Sequence, residues 1–241
     1  MKKLLSLLLC FSAGLTLAAQ STDKKLFNHL GLGAGVGTTG ITIEAATPIT
    51  KYVQLRAGVA ILPSITFKAD AEYEYSSLSS STYDEEGEVE LKGDLGRVQG
   101  HLIFNVYPFP KVPFYVAAGA YFGGNKLLKI TGKSDDLADP NVQAVIGDFK
   151  LPADENGRIS GGFKINGFRP YLGIGFGRSV PNKLLSFNTE LGVQFEGKPE
   201  LYTDYGEIDD ATVKDDNTFN KVRDVLRVYP VLTFRLNFRA F

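Results

Sequence analysis

Histidine is the side chain most often used for acid–base and nucleophilic chemistry near neutral pH, and this chain of 241 residues contains two, His29 and His101. A serine hydrolase places its histidine beside the nucleophile, with a carboxylate that orients the ring. No serine lies two residues before or after His101, and His29 precedes the first segment with a regular pattern. We therefore expect no catalytic residues and predict that His101 is a packed, hydrogen-bonded side chain.

Metal and thiol chemistry also have few candidate residues. One Cys and two His cannot build a Cys/His zinc site or a disulfide framework. The acidic segments have no EF-hand spacing. The formal net charge of −1 offers no electrostatic footprint for nucleic acid. We expect neither a metal nor another cofactor, and no nucleic-acid partner.

Charged residues of both signs recur on one side of an alternating pattern. If they face one enclosed space, opposite charges can pair there. One interpretation is a plug that closes the space and determines strand register; the other is a narrow charged pore. The predicted members of this interior charge network are Glu44, Arg56, Arg97, His101, Glu190, Glu196, Arg235 and Arg239.

A second charged group is a single acidic hairpin over residues 63–95, which contains nine acids and two bases. Such a run is either a solvated face or a recognition platform. As a platform, it would pair its edge with a partner strand or bind divalent cations weakly. Its most concentrated acids are Glu72, Glu74, Asp84, Glu85, Glu86 and Glu88.

The elements that must position these residues are β-strands, because apolar and polar residues alternate with period two along most of the chain. The pattern predicts an all-β fold of eight antiparallel strands, with ten as the alternative. The strands are expected near residues 30–37, 41–47, 53–61 (running on to 75), 88–106, 114–122, 168–176, 187–195 and 231–240. Residues 209–226 instead have the spacing of a short amphipathic helix, which Tyr229 and Pro230 would end.

The composition of the two faces predicts which one points outward. Glycine weakens a solvated strand but makes room inside a narrow barrel. The apolar side is long enough for a bilayer, with runs of about 9–11 residues. A transmembrane up-and-down barrel is therefore favoured over a secreted soluble β-protein. The glycines of the polar side are Gly31, Gly33, Gly35, Gly37, Gly58, Gly173, Gly175 and Gly192. The expected aromatic belt residues are Tyr107, Phe109, Tyr229 and Phe241.

The amino terminus has the layout of a secretory signal peptide, with a basic start, a short apolar stretch containing Cys10, and small residues at Ala18 and Ala19. We expect cleavage of residues 1–19, which leaves residues 20–241 as one barrel domain. An even strand count puts three short turns on the periplasmic side and three long loops outside. The short turns are residues 48–52, 107–113 and 179–184; the long loops are residues 63–95, 125–168 and 197–229.

Five segments of the chain have a recognisable pattern: GTTGITIE (37–44), LRAG (55–58), PYLGIGFG (170–177), ELGVQFEGKP (190–199) and VYPV (228–231). Together they resemble a family of small Gram-negative outer-membrane β-barrel proteins without an assigned activity. The chain is similar in architecture to the OmpX, OmpA-barrel and OmpW groups. The resemblance implies an outer-membrane location, contact with membrane lipid and lipopolysaccharide, insertion by the barrel-assembly machinery, and a monomer.

Barrels of this kind usually end in an aromatic-x-Phe signal that the assembly machinery reads. Here the final Phe241 has the opposite strand parity to Phe234 and Phe238. Either the last strand bulges at its end or Phe238 carries the assembly signal.

The function predicted from these features is a non-enzymatic surface protein of the cell envelope. It would have a structural or interaction role through its extended acidic loops. The alternative is a porin-like narrow channel for small or hydrophobic solutes. A remote alternative is a lipid A-modifying enzyme, because deacylases and palmitoyltransferases resemble this architecture.

Overall fold

A computed structural model describes residues 28–77, 85–109, 111–138, 142–146, 149–150, 153–205 and 226–240. Three sequence predictions lie outside these residues: the signal peptide at 1–19, the helix over 209–226 (all but its last residue), and the position of Phe241. They stay predictions.

Eight strands form one closed antiparallel barrel. Each strand pairs with its neighbours in chain order, and the first strand closes the ring by pairing with the last. This confirms the predicted eight-stranded up-and-down barrel, so the ten-strand alternative does not hold. The barrel strands are β1 (Gly31–Gly37), β2 (Gly40–Pro48), β3 (Val53–Leu62), β6 (Arg97–Val106), β7 (Phe114–Phe122), β12 (Phe168–Phe176), β13 (Leu185–Phe195) and β15 (Val228–Arg239).

A second sheet of seven strands adjoins one end of the barrel, in the order β10-β9-β4-β5-β8-β11-β14. Five barrel strands continue into it through connections of two to four residues. The pattern predicted that the third strand runs on and returns, but not that these segments form a sheet. Its strands are β4 (Thr66–Ser77), β5 (Glu85–Asp94), β8 (Lys126–Lys133), β9 (Val142–Ile146), β10 (Phe149–Lys150), β11 (Arg158–Lys164) and β14 (Glu200–Thr203), and a 3₁₀ turn covers Asp136–Ala138.

The start of the last strand differs from the expectation. Tyr229 and Pro230 do not precede the last strand but lie inside β15, which begins at Val228 and pairs Pro230 with Val193. Proline lacks an N–H and is confined to edge strands, first strand residues or bulges. Pro230 meets this rule because the pairing of β15 with β1 ends at Thr233, which leaves Pro230 paired only with β13.

Alternate barrel residues face opposite environments, as the period-two pattern predicts. Ile43 is 64 % exposed on the outer surface, whereas its neighbour Glu44 is 3 % exposed. In β12 the same alternation holds from Phe168 to Phe176. The outer surface of the barrel is therefore apolar and its interior polar, the reverse of a water-soluble barrel. No helix in the described part of the chain has the length and apolar character needed to cross a bilayer.

Interior glycines make room for the side chains that fill the lumen. A Cβ atom on Gly192 would lie 2.3 Å from the hydroxyl of Tyr171, and one on Gly175 would lie 2.4 Å from the ring of Tyr115. On β1, a Cβ on Gly35 would meet the Arg235 side chain at 2.5 Å. The glycine excess of the sequence thus corresponds to space taken up by large polar residues.

Gly192→Leu should destabilise the barrel, because the new side chain must displace Tyr171 from a filled lumen. Overpacking of this kind costs about 1–3 kcal/mol or more. Urea unfolding in detergent, followed by the gel mobility of unheated samples, measures the change. Val193→Leu is the matched control, since Val193 lies on the outer face of the same strand. Equal stability of the two variants would contradict this account of the lumen.

Candidate functional site in the barrel lumen

An ion pair spans the lumen near its centre. Arg56 on β3 and Glu190 on β13 come from strands on opposite sides of the eight-stranded ring. One Nη atom of Arg56 lies 2.6 Å from Oε2 of Glu190, and both side chains are 1 % exposed. The interior of an eight-stranded barrel is just wide enough for side chains to fill. Two charged side chains can therefore meet across its full width.

Two further charges complete a ring of alternating sign. Arg56 also contacts Oε2 of Glu44 at 3.1 Å, and Arg235 lies 3.3 Å from the other oxygen of Glu44. Arg235 also pairs with Glu190, and its Nη2 atom lies 2.7 Å from Oε2 of that residue. Two guanidinium groups and two carboxylates thus balance each other. Such pairing is needed because an uncompensated charge in a buried site is very costly.

Tyrosine hydroxyls complete the coordination of Glu190. Tyr115 on β7 donates to Oε2 at 2.7 Å, and Tyr171 on β12 donates to Oε1 at 2.6 Å. Arg235 in turn donates to the Tyr115 hydroxyl at 2.8 Å. Neither tyrosine was predicted as a site residue. For Tyr171 a signal was available, since it shares the inward face of β12 with Gly173 and Gly175.

His101 packs against the same group. Its Nε2 atom lies 3.2 Å from Oε2 of Glu44, and its ring centroid is 5.3 Å from that of Tyr121. This environment agrees with a packed, hydrogen-bonded histidine.

A separate group of charges lies toward the second sheet. Arg97 at the start of β6 lies 3.5 Å from Glu196, just beyond β13, and stacks 4.5 Å from the ring centroid of Tyr229. Beside them, fully buried Arg169 donates to Gln99 at 2.8 Å. The predicted network therefore consists of two separate groups. Arg169, which was not predicted, belongs to the group near the second sheet.

The position of Arg239 differs from its predicted place in the interior charge network. It is the last residue of β15, where the strand leaves the lumen centre. Its Nη2 atom lies 2.9 Å from Nε2 of His29, and Nη1 donates to the Asn182 carbonyl at 3.4 Å. Among the described residues it makes no ion pair with a carboxylate.

Tyr107 is a correction to the predicted aromatic belt. Its side chain is 1 % exposed and donates to Gln54 at 3.0 Å inside the barrel. Tyr229, also predicted for the belt, faces inward, with its ring against Arg97. Two other aromatic residues do face outward: Phe109 is 63 % exposed, and Phe238, the candidate assembly signal, is 43 % exposed.

The acidic hairpin is formed by the pairing of β4 with β5. Its register places acids opposite acids, with Asp70 facing Glu90, Glu72 facing Glu88, and Glu74 facing Glu86. Asp84 and the side chains of the other five predicted hairpin acids, Glu72, Glu74, Glu85, Glu86 and Glu88, lie outside the described part of the structure. Within the described part, no group of three or more His, Cys, Asp or Glu residues could hold a metal ion.

Comparison with solved structures finds two neighbours, and the first of them shows a shared fold. CarO2 of Acinetobacter baumannii is 22 % identical, with a TM-score of 0.51, and the match covers 88 % of this chain and 98 % of CarO2. CarO of the same organism is 21 % identical, with a TM-score of 0.46, and the match covers 86 % and 96 % of the two chains. No family model matches the chain, and no curated protein matches it.

Glu190→Gln should destabilise the barrel strongly, because it leaves Arg56 and Arg235 facing only one carboxylate. Removing one partner of a buried ion pair costs about 3–5 kcal/mol. Chemical unfolding in detergent measures the loss, with Glu200→Gln on exposed β14 as the charge-matched control. The double variant Glu190→Gln/Arg235→Gln should lose less than the sum of the two single variants. Simple additivity would mean that the two residues are not coupled.

Proposed function

We propose that this chain is an exported β-barrel that spans a Gram-negative outer membrane. The exposed apolar outer surface supports this, because a water-soluble barrel would have no reason to present Ile43, Leu172 or Leu191 to solvent at more than 50 % exposure. Outer-membrane barrels have this outward apolar band and a polar interior. The predicted signal peptide agrees with export.

Within that setting, we infer that the lumen is closed and the protein is not an enzyme. The observation that carries the closed lumen is the Arg56–Glu190 pair, which connects opposite walls of the barrel. The absence of a catalytic role stays the prediction made from the sequence. Glu44, Arg235 and the two tyrosines around it fill the same cross-section. The role is then structural or interactive, and the second sheet with its acidic hairpin is the contact element.

The partners we propose follow from the same arrangement. Outer-membrane lipid and lipopolysaccharide would surround the apolar band. The barrel would function as a monomer. The barrel-assembly machinery would read the last strand, where exposed Phe238 is available. An extracellular ligand or protein would bind the second sheet.

A narrow conduit is the second candidate function. It is favoured by buried polar atoms of Gln194 and Asn237 that have no hydrogen-bond partner in the described part of the structure. Water molecules between such groups would provide a polar path on either side of the charge ring.

Conductance in planar bilayers separates the two functions. The protein should first partition with outer membranes and show heat-modifiable gel mobility. A chain found only in the soluble fraction would contradict the proposed membrane location. The native protein should then give no steady conductance, whereas Arg56→Ser/Glu190→Ser should conduct, because the cross-lumen pair is replaced by small residues without changing net charge. Arg178→Ser/Glu200→Ser, which changes the same residue types outside the charge ring, is the control. Steady current through the native protein would exclude a closed lumen.

Deletion of residues 76–87 tests the interaction role. The barrel should persist, since none of its eight strands includes these residues, and binding to cells or extracellular matrix should be abolished. Adhesion and solute uptake are measured in parallel on cells with equal surface expression. Unchanged adhesion would argue against the hairpin as the contact element, and altered uptake would favour the conduit.

A further inference from the structure

The polar face of the second sheet carries a groove rich in cationic side chains. The cavity has a volume of about 400 Å³, within the range of about 300–1,000 Å³ found for small-ligand sites. Four of the lining residues are basic and one is a carboxylate. The lining consists of Glu90, Lys92, Lys129, Thr131, Gly132, Lys133, Arg158, Ile159, Ser160 and Tyr205.

Strand register explains why a groove forms here. Thr131 on β8 lies between Lys92 of β5 and Ser160 of β11. Two residues away on either side along β8 are Lys129 and Lys133, whose side chains share the face of Thr131. Short side chains therefore form the floor, and long charged side chains form the rim.

Two of the four cations that line the groove, Lys92 and Lys133, have carboxylate partners, Glu90 and Asp135. Lys133 also lies directly opposite Arg158, and like charges in directly opposed positions destabilise a sheet. Within the described part of the chain, the Lys129 ammonium and the Arg158 guanidinium make no ion pair within 4 Å. Asp94 lies opposite Lys129 in the register, and Asp154 accepts from the backbone N–H of Arg158 at 2.8 Å. The one carboxylate of the lining, Glu90, lies 3.3 Å from Lys92. An anionic ligand would relieve this repulsion.

The floor adds hydroxyl groups that favour a hydroxylated ligand. Ser160 donates its own proton to Asp204 at 2.6 Å. Its oxygen is therefore left as an acceptor for a hydroxyl from outside. The Thr131 hydroxyl is directed to the carbonyl of Lys92 at 3.5 Å, so it presents the same acceptor character to the groove.

We propose that this groove binds an acidic saccharide. Carboxylate or phosphate groups of the sugar contact Lys129 and Arg158, and sugar hydroxyls donate to Ser160 and Thr131. The ligand is either a free acidic oligosaccharide or the sugar headgroup of a surface glycolipid. This inference rests on the proposed function only in placing the second sheet outside the cell.

Titration calorimetry on the detergent-solubilised full chain tests the inference with digalacturonate as the acidic probe and digalactose as the neutral one. Native protein should bind only the acidic probe. Lys129→Gln/Arg158→Gln should weaken binding by about tenfold or more, since two charge-assisted contacts are lost. Glu90→Gln should tighten binding, because it removes the carboxylate that competes with the ligand.

Lys51→Gln/Lys183→Gln is the matched control, since both lysines are exposed in turns far from the second sheet. It should bind as the native protein does, and heat-modifiable mobility should show every variant folded. Equal binding of digalactose, or unchanged affinity of Lys129→Gln/Arg158→Gln, would overturn the proposal.

A second arm separates the two sources of the sugar. Flotation with vesicles that contain lipopolysaccharide is compared with flotation with phosphatidylcholine vesicles, using the soluble probe as competitor. Competition by digalacturonate indicates a glycolipid headgroup in the groove. Calorimetric binding without a lipopolysaccharide preference indicates a free saccharide, and no binding in either arm overturns the inference. Membrane partitioning and conductance would be unaffected by that failure, so it is distinguishable from failure of the proposed function.

Discussion

The buried ion pair between Arg56 and Glu190 is the interaction on which the barrel interior depends. Each charge would be costly to bury alone, so the two must meet. They can meet only because eight strands make a lumen narrow enough for opposite walls to touch. Glu44 and Arg235 then balance the remaining charge, and the hydroxyl of Tyr171 occupies space that Gly192 leaves open.

Strand register connects this interior to the outer surface. A slip of one residue in any barrel strand would bring its charged residues to the outer face and its apolar residues into the lumen. The charge ring and the apolar surface therefore enforce the same register. The second sheet has a different arrangement, with charged side chains on an open face and a basic groove at Thr131.

Much of the barrel was predictable because each strand carries its own period-two pattern. The site was predictable only in part. Tyr107 was assigned to the aromatic belt because it stands at the end of an apolar run. Its actual place depends on a partner, Gln54, that is distant in sequence. The second sheet was missed because, apart from β4 and β5, its strands alternate weakly and pair over long separations, as β8 does with β5. Arg239 has the right parity for the lumen but lies at a strand end.

The order of residues alone establishes an all-β chain whose strands have one apolar and one polar face, because side-chain alternation is a local property of the extended backbone. It also shows that the polar face combines glycine with charges of both signs. Which charge meets which is decided only when the barrel closes and sets the register between distant strands. The same holds for the groove, whose rim comes from β5, β8 and β11. Contacts between strands far apart in the chain leave no local pattern from which they could be read.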